Sequence, residues 1–344
     1  PRGNLAREGR LLRRLVELNV PGHQALCPLH ALLWPSPADT WSRWLADLAR
    51  AQPLTDRICL MMDPWISSAH ALRLALVTAW AADAGRLPRT ELASARARAV
   101  YACNRYVWPM FRGRAVECAP ERGAIELSNQ IAGMLAGMLA VGHVFGHRLA
   151  RDPAARELYL RARAAFPQVV GALDPEGYQG EGPIYQVNIE APSLILCAEL
   201  LDHAEGGDHY HASYPHPRDP RRRMSVAQFV TKTVTCLYGP DGLSLPMDDY
   251  GPGRPPAAFP LVYAARRSGE RRFLDMLTQR GPFGMGTFLW HDDDFAWRLA
   301  YWPEKIHGPR WQAAGSYTLP SHFGLLDDQH GARLGACRVV VDEP

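Results

Sequence analysis

Between Gln130 and Gly146 the chain reads IAGMLAGMLAVGHVF, without a single Asp, Glu, Lys or Arg. A helix that is apolar on every face has no side to offer water, so it must be enclosed by protein or by lipid. The run is shorter than the ~20 apolar residues needed to span a bilayer, and it carries His143. Enclosure by protein is therefore the expectation, with no membrane insertion. Gly133 and Gly137 form a G-x-x-x-G whose missing side chains let a neighbouring helix approach closely. The segment demands a fold in which other helices surround this one.

The rest of the chain supplies those helices. Apolar residues recur at three- and four-residue spacing, with Pro or Gly at the breaks, and predict helices near 5–18, 39–51, 67–84, 90–111, 128–149, 154–168, 188–204, 225–237, 257–266 and 270–279. Their mostly short connections imply antiparallel pairs. After about residue 282 the texture changes to short aromatic or β-branched runs between turn residues, as in GTFLWHDDDFAWRLAYW and ARLGACRVVVDEP. These read as strands. We expect a helical domain over 1–281 and a β-rich segment over 282–344, too brief for a complete β-domain and suggestive of a fragment of a longer protein.

Composition excludes several classes. Of 344 residues, 47% are hydrophobic, and 38 Lys and Arg face 35 Asp and Glu, so no strongly basic face marks a nucleic-acid binder. The seven cysteines include no C-x-x-C and no close pair, the pattern of reduced, mostly buried thiols. The N-terminus PRGNLAREGRLLRRL lacks both an initiator Met and an apolar signal core. It reads as a trimmed start, compatible with the bacterial cytoplasm or periplasm. Oligomeric state has no marker.

Two segments could carry chemistry. Ser128 and Asn129 stand at the mouth of the uncharged helix. Downstream, DPEGYQGEGPIYQVNIEAPSLIL gathers Gly177, Gly180, Gly182 and Pro183 around Tyr178, Glu181 and Tyr185 just before another apolar helix. Polar and aromatic side chains on a Gly-rich turn at a helix entrance can project into a cavity. A helix-capping Asn129 and space-filling tyrosines account for the pattern equally well.

An Asn opening a long apolar helix, followed some fifty residues later by D-x-x-G-Y-x-x-E-G-P-x-Y, resembles the heparinase II/III and alginate-lyase superfamily. The segment LPMDDYGPGR at 245–254 is similar to that superfamily's Gly/Asp/Arg loop. The resemblance covers roughly residues 67–344 and is strongest from 121 to 254. It implies a mainly α fold, an incomplete (α/α) toroid of antiparallel helix pairs followed by the start of an antiparallel β-sandwich. It also implies β-elimination at a uronic acid. Asn129 would neutralise the carboxylate next to C5, and Tyr185 would serve as general acid toward the O4 leaving group, and as base for one epimer. Gln130, Tyr178, Glu181, Asp249 and Arg254 would contact an anionic, uronate-containing polysaccharide or oligosaccharide. No cofactor is implied.

The chain departs from the superfamily in two places. No H-x-H-x-D-like stretch supplies a second catalytic His, the candidates being HDDDF at 291–295, IHGPR at 306–310 and SHF at 321–323. The additional His near the asparagine is also missing, since Gln130 follows Asn129 directly. For Gln130 a plain helix-surface amide stands beside a role at the carboxylate, and for Arg254 a surface ion pair stands beside substrate contact.

Histidines pose separate questions. His143 and His147 share i, i+4 spacing without the acidic residue of H-E-x-x-H, which favours buried or capping histidines over a metal. DHAEGGDHYHASYPHPRDPRRR, with His203, His209, His211 and His216 before Arg221, Arg222 and Arg223, fits no tetrahedral zinc template. A structural metal, a solvated loop and a substrate-facing lid all stay open there. Trp108, Trp290, Trp297 and Trp302 could stack on sugars or sit in the core. Two rival functions remain: a glycoside hydrolase on a helical toroid using Glu181 with Asp248 or Asp249, and a non-catalytic glycan-binding protein.

Overall fold

The uncharged segment is a helix enclosed by its neighbours: in the computed structural model every residue from Ile131 to Gly146 is buried. The structure describes residues 54–61, 64–113, 129–173, 185–237, 258–274, 316–318 and 338–340. Of the interpretable residues 79% are helical, against about a third in an average globular protein, so the chain is mainly α as expected. Among the described residues no helix is long and apolar enough to cross a membrane.

The helices in chain order are α1 (Asp56–Met61), α2 (Pro64–Asp83), α3 (Arg89–Ala102), α4 (Trp108–Phe111), α5 (Asn129–Val141), α6 (Pro153–Ala172), α7 (Ala191–Glu205), α8 (Val226–Leu237) and α9 (Ala258–Ser268). Four of them are joined to three π-helical segments. Cys103–Val107 links α3 to α4, Gly142–Arg148 extends α5, and Gln186–Glu190 leads into α7. An extra residue per turn of this kind is frequent at functional sites.

Close contacts fix how these helices run. Ser68 on α2 donates its hydroxyl to the Gly133 carbonyl at 2.9 Å on α5, and near the other ends of the same helices Arg148 pairs with Asp83. The two helices are therefore parallel. His143 and His203 meet near the C-terminal ends of α5 and α7, while α5 also packs on the π turn before α7, so these two are parallel as well. Between them α6 returns in the opposite sense, because Gly142 abuts Tyr159 and Gly146 abuts Arg156. Helices α2, α5 and α7 thus form a parallel set, with α6 running against them.

Small residues make this packing possible. A Cβ at Gly137 would stand 2.0 Å from Ser68 Oγ and 2.7 Å from the Ser68 carbonyl oxygen, so the G-x-x-x-G expectation of close approach holds at α2. The turn into α6 is set by Asp152, whose carboxylate accepts the backbone N–H groups of Ala154 at 2.9 Å and Ala155 at 3.1 Å, with Pro153 at the first helical position. Helix α6 runs on past Pro167 to Ala172, beyond the expected end near 168. Burial of Val169, Val170 and Gly171 offsets the hydrogen bond that Pro167 cannot donate.

Beyond α7 the histidine-rich stretch forms an ordered hairpin, β1 (Tyr214–Pro215) antiparallel to β2 (Arg223–Met224). His209 Nδ1 lies 2.7 Å from the Tyr214 hydroxyl, and the Asp208 carboxylate meets His211 Nδ1 at 2.7 Å. Arg267 on α9 reaches Glu199 at 3.3 Å and Asp202 at 3.7 Å, and also pairs with Asp208. The described imidazoles there hydrogen-bond within the protein. Farther on, β3 (Ser316–Thr318) pairs antiparallel with β4 (Arg338–Val340) in the register Ser316↔Val340.

Candidate functional site

Parallel alignment of α5 and α7 decides where Asn129 and Tyr185 sit. Stepping back from the His143–His203 contact by the same number of residues on each helix brings Asn129 level with the π turn Gln186–Glu190, directly after Tyr185. The two residues therefore belong to one end of the helical layer. Asn129 is buried, at 5% exposure, while Gln130 and Tyr185 are half-buried and Tyr185 packs against the core. Of the other expected site residues, Tyr178, Glu181, Asp248, Asp249 and Arg254 lie outside the described residues, as do Ser128, the candidate histidines after 290, and Trp290, Trp297 and Trp302.

The π turn adds polar groups that sequence reasoning passed over. Gln186, Asn188 and Glu190 are all buried, followed by buried Ser193. Gln186 Nε2 is 3.5 Å from Thr233 Oγ1 on α8, and Ser193 donates to the Ile189 carbonyl at 2.6 Å. Buried amides and carboxylates are held only where hydrogen bonds satisfy them. A Q-x-N-x-E run at the entrance of an otherwise apolar helix was the available signal. Spaced two apart, the three residues share no single helix face, and all are buried at the π turn.

Charge at this end is shaped by helix direction. The N-terminal ends of α2, α5 and the π turn leading into α7 point the same way, so their aligned dipoles favour an anion here. α2 brings two more polar side chains inward, His70 and Arg73, both buried. His70 is held neutral, its pKa lowered to about 3 by burial and by nearby Arg73.

The remaining expected ligands have other occupations. Trp108 is stacked on Phe111 at 6.0 Å and covered by the Arg161 guanidinium at 4.8 Å, a packed surface rather than an open platform. His147 packs on Tyr159 at 4.7 Å. Among the described residues no group of three or more His, Cys, Asp or Glu is arranged to hold a metal. Cys59, Cys103 and Cys197 are free and buried, and burial raises each thiol pKa, which makes them poor nucleophiles.

Two buried neutral histidines give the fold an acid limit. His143 at the far end of α5 has its pKa lowered to about 4 by burial and by His203, Arg148 and His147. An unfolded chain protonates both histidines near pH 6.5, whereas the folded one does not. Stability is therefore full above pH 6.5 and falls by about 1.4 kcal/mol per pH unit per histidine on acidification, down to about pH 4 for His143 and about pH 3 for His70. Denaturant unfolding between pH 7 and 4.5 should show this slope, with His143→Leu removing about half of it. A flat profile would mean that both rings find acidic partners.

No family model matches the chain, and no curated protein matches it.

Proposed function

We propose that the protein is a polysaccharide lyase that cleaves a uronic-acid-containing glycan by β-elimination. The observation that carries this reading is the shared level of buried Asn129 and half-buried Tyr185 on the parallel pair α5 and α7. Three helix N-termini at that end favour a carboxylate. The return of α6 against the parallel helices α5 and α7 supports the finer architecture, an incomplete (α/α) toroid, and the antiparallel pair β3–β4 supports the start of a β-sandwich.

The chemistry follows from what elimination requires. Removing the C5 proton pushes negative charge onto the adjacent carboxylate, and an amide N–H from Asn129 stabilises that charge better in the transition state than in bound substrate. The electron pair released at C5 forms the C4=C5 double bond as the C4–O4 bond breaks. In the epimer that presents its C5 proton to Tyr185, the ionised phenol takes that proton and, as the phenol so formed, gives it to the departing O4, so that the proton is accounted for and no water is consumed. As a base toward C5 in one epimer, Tyr185 would need its proton removed first, against an ordinary phenol pKa near 10. Gln130, Tyr178, Glu181, Asp249 and Arg254 are proposed to hold the anionic chain, and no cofactor takes part.

The test is incubation with alginate, heparan sulfate, chondroitin and hyaluronan while following ultraviolet absorbance of the unsaturated uronate. At least one substrate should give rising absorbance. Saturated reducing ends without absorbance would replace the lyase by a hydrolase. Glycan binding with no product would leave a binding protein.

A further inference from the structure

The hairpin β1–β2 turns through a strongly basic tip. His216 to Arg223 reads HPRDPRRR, four arginines against one aspartate, an excess as large as the formal +3 of the whole chain. Outside these eight residues the two signs balance. Arg218, Arg221, Arg222 and Arg223 are all exposed. Arg223 bonds back to Ser213, Nε to Oγ at 3.3 Å, whereas among the described residues no carboxylate pairs with the guanidinium of Arg221 or Arg222.

The shape of the turn does not depend on those two side chains. His216 Nδ1 accepts the backbone N–H groups of Arg218 at 3.1 Å and Asp219 at 3.2 Å, and the Asp219 carboxylate accepts that of Arg221 at 3.2 Å. Arg222 closes the loop with its backbone N–H on the Asp219 carbonyl at 2.9 Å. Burial and nearby Arg222 hold the His216 pKa below its ordinary value, so Nδ1 stays an acceptor at neutral pH.

Helix α6 decides where the tip stands. Tyr214 packs edge-on against Phe166 at 5.6 Å, and farther along α6 a Cβ at Gly171 would collide with the Pro215 carbonyl. The hairpin therefore runs toward the C-terminal end of α6. That helix is antiparallel to α5, with Tyr159 against Gly142, and stepping from this contact to Gly171 on α6 is the same number of residues as stepping back to Gln130 on α5. The tip thus belongs to the end of the layer that carries Asn129 and Tyr185. Packed helix axes lie about 8–10 Å apart and the hairpin rests on α6, which puts the arginines about 10–20 Å to the side of Asn129.

We propose that the tip is a distal subsite of the Asn129/Tyr185 site, where Arg221 and Arg222 grip an acidic sugar away from the bond being cleaved, so that the substrate is a long glycan with repeating anionic groups. This rests on the lyase reading for what happens at Asn129, but its test needs no turnover. The arginines are too far off for the sugar that reacts, and suit a neighbour on the same chain. A guanidinium offers a planar fork that matches a carboxylate or a sulfate. One such exposed contact is weak, but a tethered polyanion adds several at high effective concentration. Nucleic acid fits less well, since its binding draws on phosphate contacts along an extended basic track and here the excess is confined to one turn.

Calorimetry with fragments of alginate, hyaluronan and heparan sulfate, graded from disaccharides to long oligomers, tests the proposal at low and raised salt. Affinity of the unsubstituted protein should rise by about tenfold or more with length. Arg221→Gln with Arg222→Gln should abolish that rise and flatten the salt dependence. Neither side chain supports the turn, so this variant should keep its fold. Arg86→Gln with Arg89→Gln removes the same charge from exposed positions beyond the far end of α2, and should leave the rise intact. Preference for alginate and hyaluronan would name carboxylates as the groups gripped, preference for heparan sulfate would name sulfates, and either supports the subsite. No rise with length, an unchanged rise in the tip variant, equal losses in the two variants, or equally tight binding of single-stranded DNA would each overturn it. Tip-dependent binding without ultraviolet product supports the subsite and counts against the lyase reading alone.

Discussion

Tyr185→Phe is expected to lower turnover on a uronate glycan by about 10²–10⁴-fold while leaving KM within about twofold, the range that loss of one general acid produces. The substitution removes one oxygen and keeps the ring. That ring is half-buried, packs against the core and sits at the head of the π turn Gln186–Glu190. Phenylalanine preserves the packing, so folding and substrate affinity should survive and only the proton for the leaving O4 is lost. If Tyr185 merely fills space, the variant turns over at the wild-type rate and assignment of the acid to this residue fails. A fall in turnover matched by an equal rise in KM would instead mean that the hydroxyl holds the substrate equally well before and during reaction.

What could be read from the sequence divides along a physical line. Helices α2 through α9 lie within a few residues of the apolar spacings that announce them, since each must turn a stripe inward every 3.6 residues. The enclosed helix was legible for a stronger reason: with no charge from Gln130 to Gly146 it had no face to expose. The π segments were not legible, because an inserted residue leaves the apolar pattern nearly intact while rotating everything after it. For the same reason the burial of Gln186, Asn188 and Glu190 could not be read from a 3.6-residue repeat. The pairing of Asn129 with Tyr185 required tertiary register. The contact His143–His203 and the packing of α5 on the π turn give it, and neither is visible as a motif.

The helix that carries Asn129 has one mechanically exposed point, the crossing of α5 with α2 at Gly137. Gly137→Ala is expected to destabilise the protein by about 3–5 kcal/mol and lower its melting temperature by about 10 °C, a cost at the upper end for one methyl group. The new Cβ would lie 2.0 Å from Ser68 Oγ and 2.7 Å from the Ser68 carbonyl oxygen. Ser68 cannot simply swing aside, because its hydroxyl donates to the Gly133 carbonyl at 2.9 Å and is 3.3 Å from that of Met134, inside a fully buried crossing. Its carbonyl belongs to the α2 backbone and moves only if the helix moves. The double variant Ser68→Ala with Gly137→Ala removes the hydroxyl clash and keeps the carbonyl one, so it should recover part of the loss, with a coupling of about 1–2 kcal/mol. Displacement of α2 from α5 also shifts both ends of the parallel layer, so Gly137→Ala should reduce uronate turnover even in the fraction that remains folded. A melting temperature within about 2 °C of wild type would show that α2 and α5 do not meet at Gly137, and with that the parallel alignment of α2 with α5 would lose its anchor.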